Sequence, residues 1–421
     1  MTASLSAVAL RVTKRRPMRR TGDPVFFSWG ERPVKGLSKP LRFVVLLGVV
    51  SLLADVTYEG ARSVTGPYLA LLGASGAAVG IVAGAGELFG YALRLWSGRL
   101  ADRTQRYWAL TLTGYAVNLL AVPALALADH WPAAAVLIIV ERTGKAIRTP
   151  ARDAMLSYAT HEAGRGWGFG LHEAMDQIGA TLGPIVVAGV LWLRHDYRTA
   201  FAVLLLPALA ALSVLLFARR AYPKPRELEP MGRDLSAKGF SRAFWLYLTA
   251  TCFVAVGFAD YPLLAYHFQV KGIVPTTWIP IFYSIAMAVD AISALWFGRW
   301  FDRRGIAVLA VSTALSALFA PLAFGNAFGS ALAGAVLWGL GLGAQESVMR
   351  AAIAGMAPHS LRGTAYGLFN MVFGVFWFLG SSLLGWLYDI SILALVVTSV
   401  ASQLVAIPLF LVAERKSRSN P

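Results

Sequence analysis

Apolar residues fall along this chain in long blocks and not in the alternating rhythm of a half-buried strand. Blocks of roughly 20 residues, enough to cross about 30 Å of hydrocarbon at 1.5 Å per residue, recur twelve times. They cover 41–70, 77–100, 107–129, 131–153, 166–192, 197–219, 243–267, 275–299, 306–326, 329–355, 363–388 and 390–413. Each predicts a membrane-crossing helix, and the missing alternation excludes a membrane barrel. The pattern lapses between Arg219 and Arg242, where Pro223, Pro225, Pro230 and charged residues predict a linker. Residues 1–40 are polar and basic, with no short apolar core and small-residue cleavage site ahead of the first block.

The blocks repeat as a set. Gly98-Arg-Leu-Ala-Asp102-Arg103 returns 200 positions later as Gly298-Arg-Trp-Phe-Asp302-Arg303, and Arg165-Gly-Trp-Gly-Phe-Gly170 returns 197 positions later as Arg362-Gly-Thr-Ala-Tyr-Gly367. One half therefore copies the other. The expected architecture is all-α and polytopic: a basic tail (1–40), a six-helix bundle (41–220), a linker (221–241), a second six-helix bundle (242–413) and a short tail (414–421). Duplicated membrane bundles usually transport.

Composition agrees. With 57% hydrophobic and 14% charged residues and a mean hydropathy of +0.60, there is too little polar surface to cover a soluble globule. A net charge of +16 raises the question of nucleic acid, but its distribution answers it. Of 38 basic residues, one set of connections carries only Arg194, Arg198 and Lys271, whereas the N-terminal tail holds Arg11, Lys14, Arg15, Arg16, Arg19 and Arg20 and the alternate connections gather others around Arg103, Arg148, Arg220, Arg303 and Arg362. That asymmetry predicts cytoplasmic termini and an inner (plasma) membrane location with a lipid partner, and no nucleic acid. Cys252 is the single cysteine, which excludes a disulfide within the chain and a thiolate cluster. His130, His195 and His267 belong to separate connections, so no metal is expected, nor any cofactor. No cytoplasmic stretch is long enough for an ATPase domain, so energy must come from gradients.

Gly98-xxx-Asp102-Arg103-xx-Arg106, its echo Gly298-xxx-Asp302-Arg303-x-Gly305 and the six-plus-six plan resemble the major facilitator superfamily, over 41–413. Gln105 stands where that signature has a turn glycine. The resemblance implies twelve helices about a pseudo-twofold axis and a cytoplasmic gate in which Asp102 reaches the helix start near Gly363, with Arg148 or Arg152 nearby. Physically, an aspartate at one helix end can accept the free N–H groups of a neighbouring helix start. Alone, Asp102 and Arg103 could equally cap a helix. Gly179-xxx-Gly183-Pro184 resembles the fifth-helix signature of the superfamily's proton antiporters, although Val187 and Ala188 depart from it. It predicts a hinge or a tight interface. The run from Glu141 to Asp153 resembles a bacterial branch of the superfamily. It holds Gly144-Lys145 but lacks the spacing and the preceding strand of a phosphate-binding loop. Pro150 predicts a helix break at Thr149.

Charge at membrane depth carries the candidate chemistry, because it is expensive there and faces a cavity or a partner. Asp55, Glu59 and Arg62 share one helix face, as do Glu141, Arg142, Lys145, Arg148 and Arg152; Glu173 and Asp176 follow on the fifth segment, and Glu87 and Arg94 on the second. The expected mechanism pairs Glu59 or Asp55 with Arg142 or Lys145 and exchanges that pair for a proton. Static pairs holding the bundle together are the alternative. In the second half, Asp260, Asp290, Gln345, Glu346 and Arg350 are the membrane-depth polar residues, and Glu346 and Arg350 are placed to pair along their own helix. Tyr58, Tyr91, Tyr261, Tyr266, Trp338 and Trp377 could line a cavity or form an interfacial belt, the belt being expected for most. Phe369, Asn370, Phe373 and Trp377 share a face suited to substrate. Tyr58, Glu87, Arg94, Asp260, Asn370 and Phe373 complete the expected cavity. The function expected is secondary transport of a small molecule by a monomer, as proton-coupled efflux or as symport or facilitated import; a membrane sensor or scaffold is the remaining class, and an enzyme is not expected.

Overall fold

The computed structural model describes residues 39–163, 165–223, 240–356 and 362–419, without the side chains of 158, 160–163, 165–170, 354–355, 362–364 and 418–419. The basic tail and most of the proline-rich linker lie outside these residues.

Among the described residues, twelve helical segments follow in chain order. They are α1 (Lys39–Leu71), α2 (Gly76–Thr104), α3 (Tyr107–Leu127), α4 (Trp131–Ala163), α5 (Arg165–Arg194) and α6 (Tyr197–Ala221). The second six are α7 (Arg242–Lys271), α8 (Ile279–Arg304), α9 (Ala307–Ala323), α10 (Phe328–Ile353), α11 (Arg362–Ile390) and α12 (Ile392–Ser419). Among the described residues, ten stretches are long and apolar enough to cross a membrane by themselves. The other two are short α9 and charge-laden α4. Within the first six, α1 packs on α5 and α4 on α2 and α3; within the second, α7 packs on α11 and α12, and α8 on α10. Between the sets, α2 meets α11, α5 meets α8 and α1 meets α7.

Small residues set these approaches. A Cβ at Gly183 would lie 2.8 Å from the Gly60 amide and 2.5 Å from the Val56 carbonyl, and a Cβ at Gly179 would lie 2.8 Å from Asp55 Cβ. The Gly-xxx-Gly of α5 is thus a tight interface with α1, and α5 runs unbroken through Pro184. The hinge alternative has no break to rest on.

Helix 4 does not break at Thr149: Pro150 sits inside α4. A proline there deprives the Ala146 carbonyl of its usual donor, and Ser97 Oγ on α2 supplies one at 2.8 Å. Gly98 faces Pro150, and a Cβ there would stand 3.6 Å from it, an ordinary contact.

Conversely, α7 is discontinuous where the apolar pattern predicts an unbroken helix. Its first part ends at Gly257, and a second starts at Tyr261 with Asp260 as N-cap and a proline in the first turn. Irregular backbone at membrane depth is tolerated only when buried and satisfied. Here the Gly257 carbonyl accepts from Ser399 Oγ at 2.5 Å and Gln403 Nε2 at 3.3 Å, and the Ala259 carbonyl from Trp338 Nε1 at 2.8 Å.

Candidate transport cavity

One cavity of about 890 Å³ lies between the two sets of helices. The α1 stripe lines it, with Asp55, Tyr58, Glu59 and Arg62 on the shared face that their spacing predicts. Burying an ionised side chain costs several kcal/mol unless it is paired, and the partners are specific. Glu59 is 7% exposed; Lys145 Nζ of α4 lies 3.5 Å from it, and Tyr283 of α8 donates to its other oxygen at 2.5 Å. Arg142, the alternative partner, is engaged elsewhere, 3.6 Å from Glu87 and 3.3 Å from Glu141. Asp55 has no cation within 4 Å among the described residues; Tyr58, one turn on, donates its hydroxyl to it. The Tyr58 ring in turn faces Lys145 Nζ, 4.0 Å from its centroid.

Arg62 joins the halves. Its guanidinium lies 2.8 Å from Asp260 and 3.2 Å from Glu87. Asp260 is thus engaged in an ion pair and lines a small side pocket with Tyr58, Arg62 and Arg142, next to the main cavity. From there signs alternate through Arg142 and Glu141 to Asn118, whose Nδ2 is 2.6 Å from the Glu141 carboxylate.

Arg148 and Arg152 turn inward and not toward Asp102. Arg148 is 1% exposed, its guanidinium 4.1 Å from the Tyr115 ring. Arg152 reaches Asp153 at 2.8 Å, Ser51 Oγ at 3.0 Å and Asp176 at 3.9 Å. The cause is the unbroken α4, which keeps both on the cavity face. Asp102, Arg103, Asp302 and Arg303 are exposed, and the α11 start near Gly363, where Asp102 is expected to reach, adjoins residues 357–361, which lie outside those described. Gly298 has open space where a Cβ would go. Gln105 adopts the left-handed turn conformation, φ +56°, that glycine would normally supply. In the second copy Gly305 also has a positive φ, +68°, but with ψ −149°, outside the left-handed helical region, and the Glu414 carboxylate lies 2.7 Å from the Ile306 amide.

The latch chemistry expected of Asp102 is present at the other end of the same helix pair. Asp389, at the end of α11, accepts from the Gly76 and Ala77 amides of the α2 start at 2.9 and 2.8 Å. Tyr266 adds a bond to the Ala74 carbonyl at 3.1 Å. That end is closed, and the cavity runs toward the other, past Arg152, Asp176, Arg350 and Gly367.

Glu346 and Arg350 both line the cavity but are not within 4 Å of each other. Residues Gln345–Met349 form a π-turn, which shifts the register away from the i,i+4 neighbour relation that pairing needs. Phe369, Asn370, Phe373 and Trp377 all face the cavity, as their spacing predicts, as do Glu87, Arg94, Glu173 and Asp176. The belt expectation fails for Tyr261, Tyr266, Trp338 and Trp377, all buried within the protein. Tyr283, Ser51, Asn118 and Asp389 were not singled out by sequence reasoning. Ser51, one turn before Asp55 on the same face, is the one a helical projection could have found.

The family model of the Major Facilitator Superfamily matches residues 47–381. This chain belongs to that superfamily. An uncharacterised protein of Mycobacterium tuberculosis is 44% identical over 373 residues, 87% of this chain and 91% of its own. An MFS-type transporter of Methanocaldococcus jannaschii is 25% identical over 362 residues, covering 83% and 89%. Solved structures with the same fold include a POT family transporter in complex with 5-aminolevulinic acid (TM-score 0.72, 14% identity, covering 90% of this chain and 96% of that one). A bacterial homologue of the human lysosomal transporter Spinster, inward-facing and unoccupied, superposes with a TM-score of 0.66 (15% identity, 91% and 98%). Superfamily membership makes this chain a multi-pass membrane transporter of a small molecule and not an enzyme.

Proposed function

We propose that this transporter is a proton-coupled antiporter that exports a small organic solute by alternating access, acting as a monomer in the plasma membrane with both termini cytoplasmic. The observation that carries the proposal is the pair of contacts on Glu59. Its carboxylate is tied to Lys145 within the first half and to Tyr283 of the second. A proton arriving there removes the charge that holds Lys145 and weakens the charge-assisted bond to Tyr283, so protonation and the contact between the halves are linked. The basic residues of the alternate connections support the orientation, which makes the closed end extracellular and the state inward-facing. A single cavity built from both halves supports a monomer. The α5 glycines, in their resemblance to the antiporter signature, support exchange over symport.

Proteoliposomes test the direction. With a cargo identified by ligand-induced thermal stabilisation, an acid interior draws cargo in through an antiporter whichever way the protein is inserted. Accumulation driven only by an acid exterior would make it a symporter, and flux indifferent to the gradient a facilitator.

A further inference from the structure

The pairing pattern bears on cargo. Of the seven cations that line the cavity, Arg62, Arg142, Lys145 and Arg152 each have a carboxylate within 4 Å. Arg94, Arg148 and Arg350 have none among the described residues. Arg148 is shut between the rings of Tyr58 and Tyr115. That leaves Arg94 on α2 and Arg350 on α10, one from each half.

Both reach the same part of the wall. Arg94 lies 5.2 Å from the Tyr91 ring centroid, and its Nε is buried with no acceptor. Leu95, next to Arg94, packs where α11 passes Arg350: a Cβ at Gly367 would lie 3.0 Å from Leu95, and both arginines line the cavity beside that residue. Glu346 and Glu173 line the same cavity, but neither comes within 4 Å of Arg350. Asn370 and Tyr366 of α11 border the same space, and Tyr366 is held by its bond to the Arg350 carbonyl at 3.0 Å. Two guanidinium forks left unpaired and facing one space present donor geometry matched to a carboxylate or phosphate.

We propose that Arg94 and Arg350 form an anion clamp, so that the cargo is a small organic anion whose carboxylate or phosphate is held by one arginine from each half. This rests on the transporter reading but not on its proton coupling or direction. Because the clamp takes one arm from each half, a bound anion touches both.

The test uses the full-length protein in lipid nanodiscs and a matched panel: succinate and butyrate, propyl phosphate, butyramide and butylamine. Binding of at least one anion is expected, with the amide and the amine at least tenfold weaker, since a charge-assisted bond is worth about that factor or more. Arg94→Gln and Arg350→Gln should each weaken anion binding about tenfold or more, and the double variant little further, because the two act on one group. The Lys variants should retain part of the affinity. Succinate or butyrate as the tighter probe marks a carboxylate cargo, propyl phosphate a phosphate one. Equal or exclusive binding of amide or amine overturns the proposal, as does anion binding unchanged in both Gln variants or silence across the panel. The panel comparison on the unaltered protein stands even if a variant fails to fold. Proton-driven flux of a cationic cargo would defeat the clamp and leave the function proposed above intact; anion binding with gradient-independent flux would do the reverse.

Discussion

Asp389 caps a helix that belongs to the other half of the molecule: its carboxylate accepts the Gly76 amide at 2.9 Å, and the Ala77 amide at 2.8 Å. Helix starts carry unsatisfied N–H groups and partial positive charge, so the contact is chemically a cap and mechanically a latch. Asp389→Ala should cost the closed end about 0.5–2 kcal/mol, the usual range for losing a cap. Cysteine labelling at position 77, in a Cys252→Ser background, should quicken by the corresponding several-fold. An unchanged labelling rate would mean that other contacts hold that end.

Ser97 and Pro150 form a second such relation, testable as a cycle. Ser97→Ala leaves the Ala146 carbonyl without a donor and should destabilise by about 1–3 kcal/mol. In a Pro150→Ala background the helix regains its own amide at that position, so the same Ser97 change should cost much less. Denaturation of all four proteins measures the coupling. Equal costs in both backgrounds would contradict the assignment.

At the α1–α5 interface, Gly183→Ala must push its methyl against the Val56 carbonyl and the Gly60 amide, for a loss of about 1–3 kcal/mol by overpacking. Gly189, on the same helix, has open space where a Cβ would go. Gly189→Ala should be neutral or gain up to about 1 kcal/mol of helix propensity. The pair of melting temperatures distinguishes packing from a general intolerance of α5 to side chains.

Asp196 caps α6 outside the membrane-spanning segments, accepting the Thr199 hydroxyl at 2.6 Å and amide at 2.8 Å and the Arg198 amide at 3.2 Å. Led by the Thr199 hydroxyl, these bonds hold its carboxyl below the ordinary aspartate range. A depressed folded-state pKa adds stability that is present above the unfolded value and lost as pH falls through the folded one. Asp196→Ala should therefore cost about 1 kcal/mol at neutral pH, and the difference should narrow on acidification below about pH 4. A gap independent of pH down to pH 2 would rule out the charge as its source.

Much of the architecture could be read from the chain because lipid imposes it: twelve apolar blocks had to be helices, and the repeated Gly-xxx-Asp-Arg located the duplication. The one-face spacing of Asp55, Glu59 and Arg62 likewise put all three on the cavity. Pairing was less legible, since helical spacing decides which face a charge occupies but not which neighbour reaches it. Lys145 and not Arg142 meets Glu59, because Glu87 and Glu141 hold Arg142. The π-turn at Gln345–Met349 separated Glu346 from Arg350 with no proline or glycine signal inside it. At Pro150 a local rule gave way to a tertiary donor, Ser97, that no window around the proline contains. The α7 break had a visible sign, Asp260-Tyr-Pro262, an N-cap followed by proline, hidden in an otherwise apolar block.

We propose that the charge on Glu59 couples protons to the movement of the halves. Cargo flux into proteoliposomes under an imposed pH gradient, compared between the unaltered protein and Glu59→Gln, tests it most directly. Gradient-driven accumulation is expected in the first and cargo binding without gradient-driven accumulation in the second. Undiminished gradient-driven accumulation in Glu59→Gln would contradict it and leave Glu59 a static member of a buried pair.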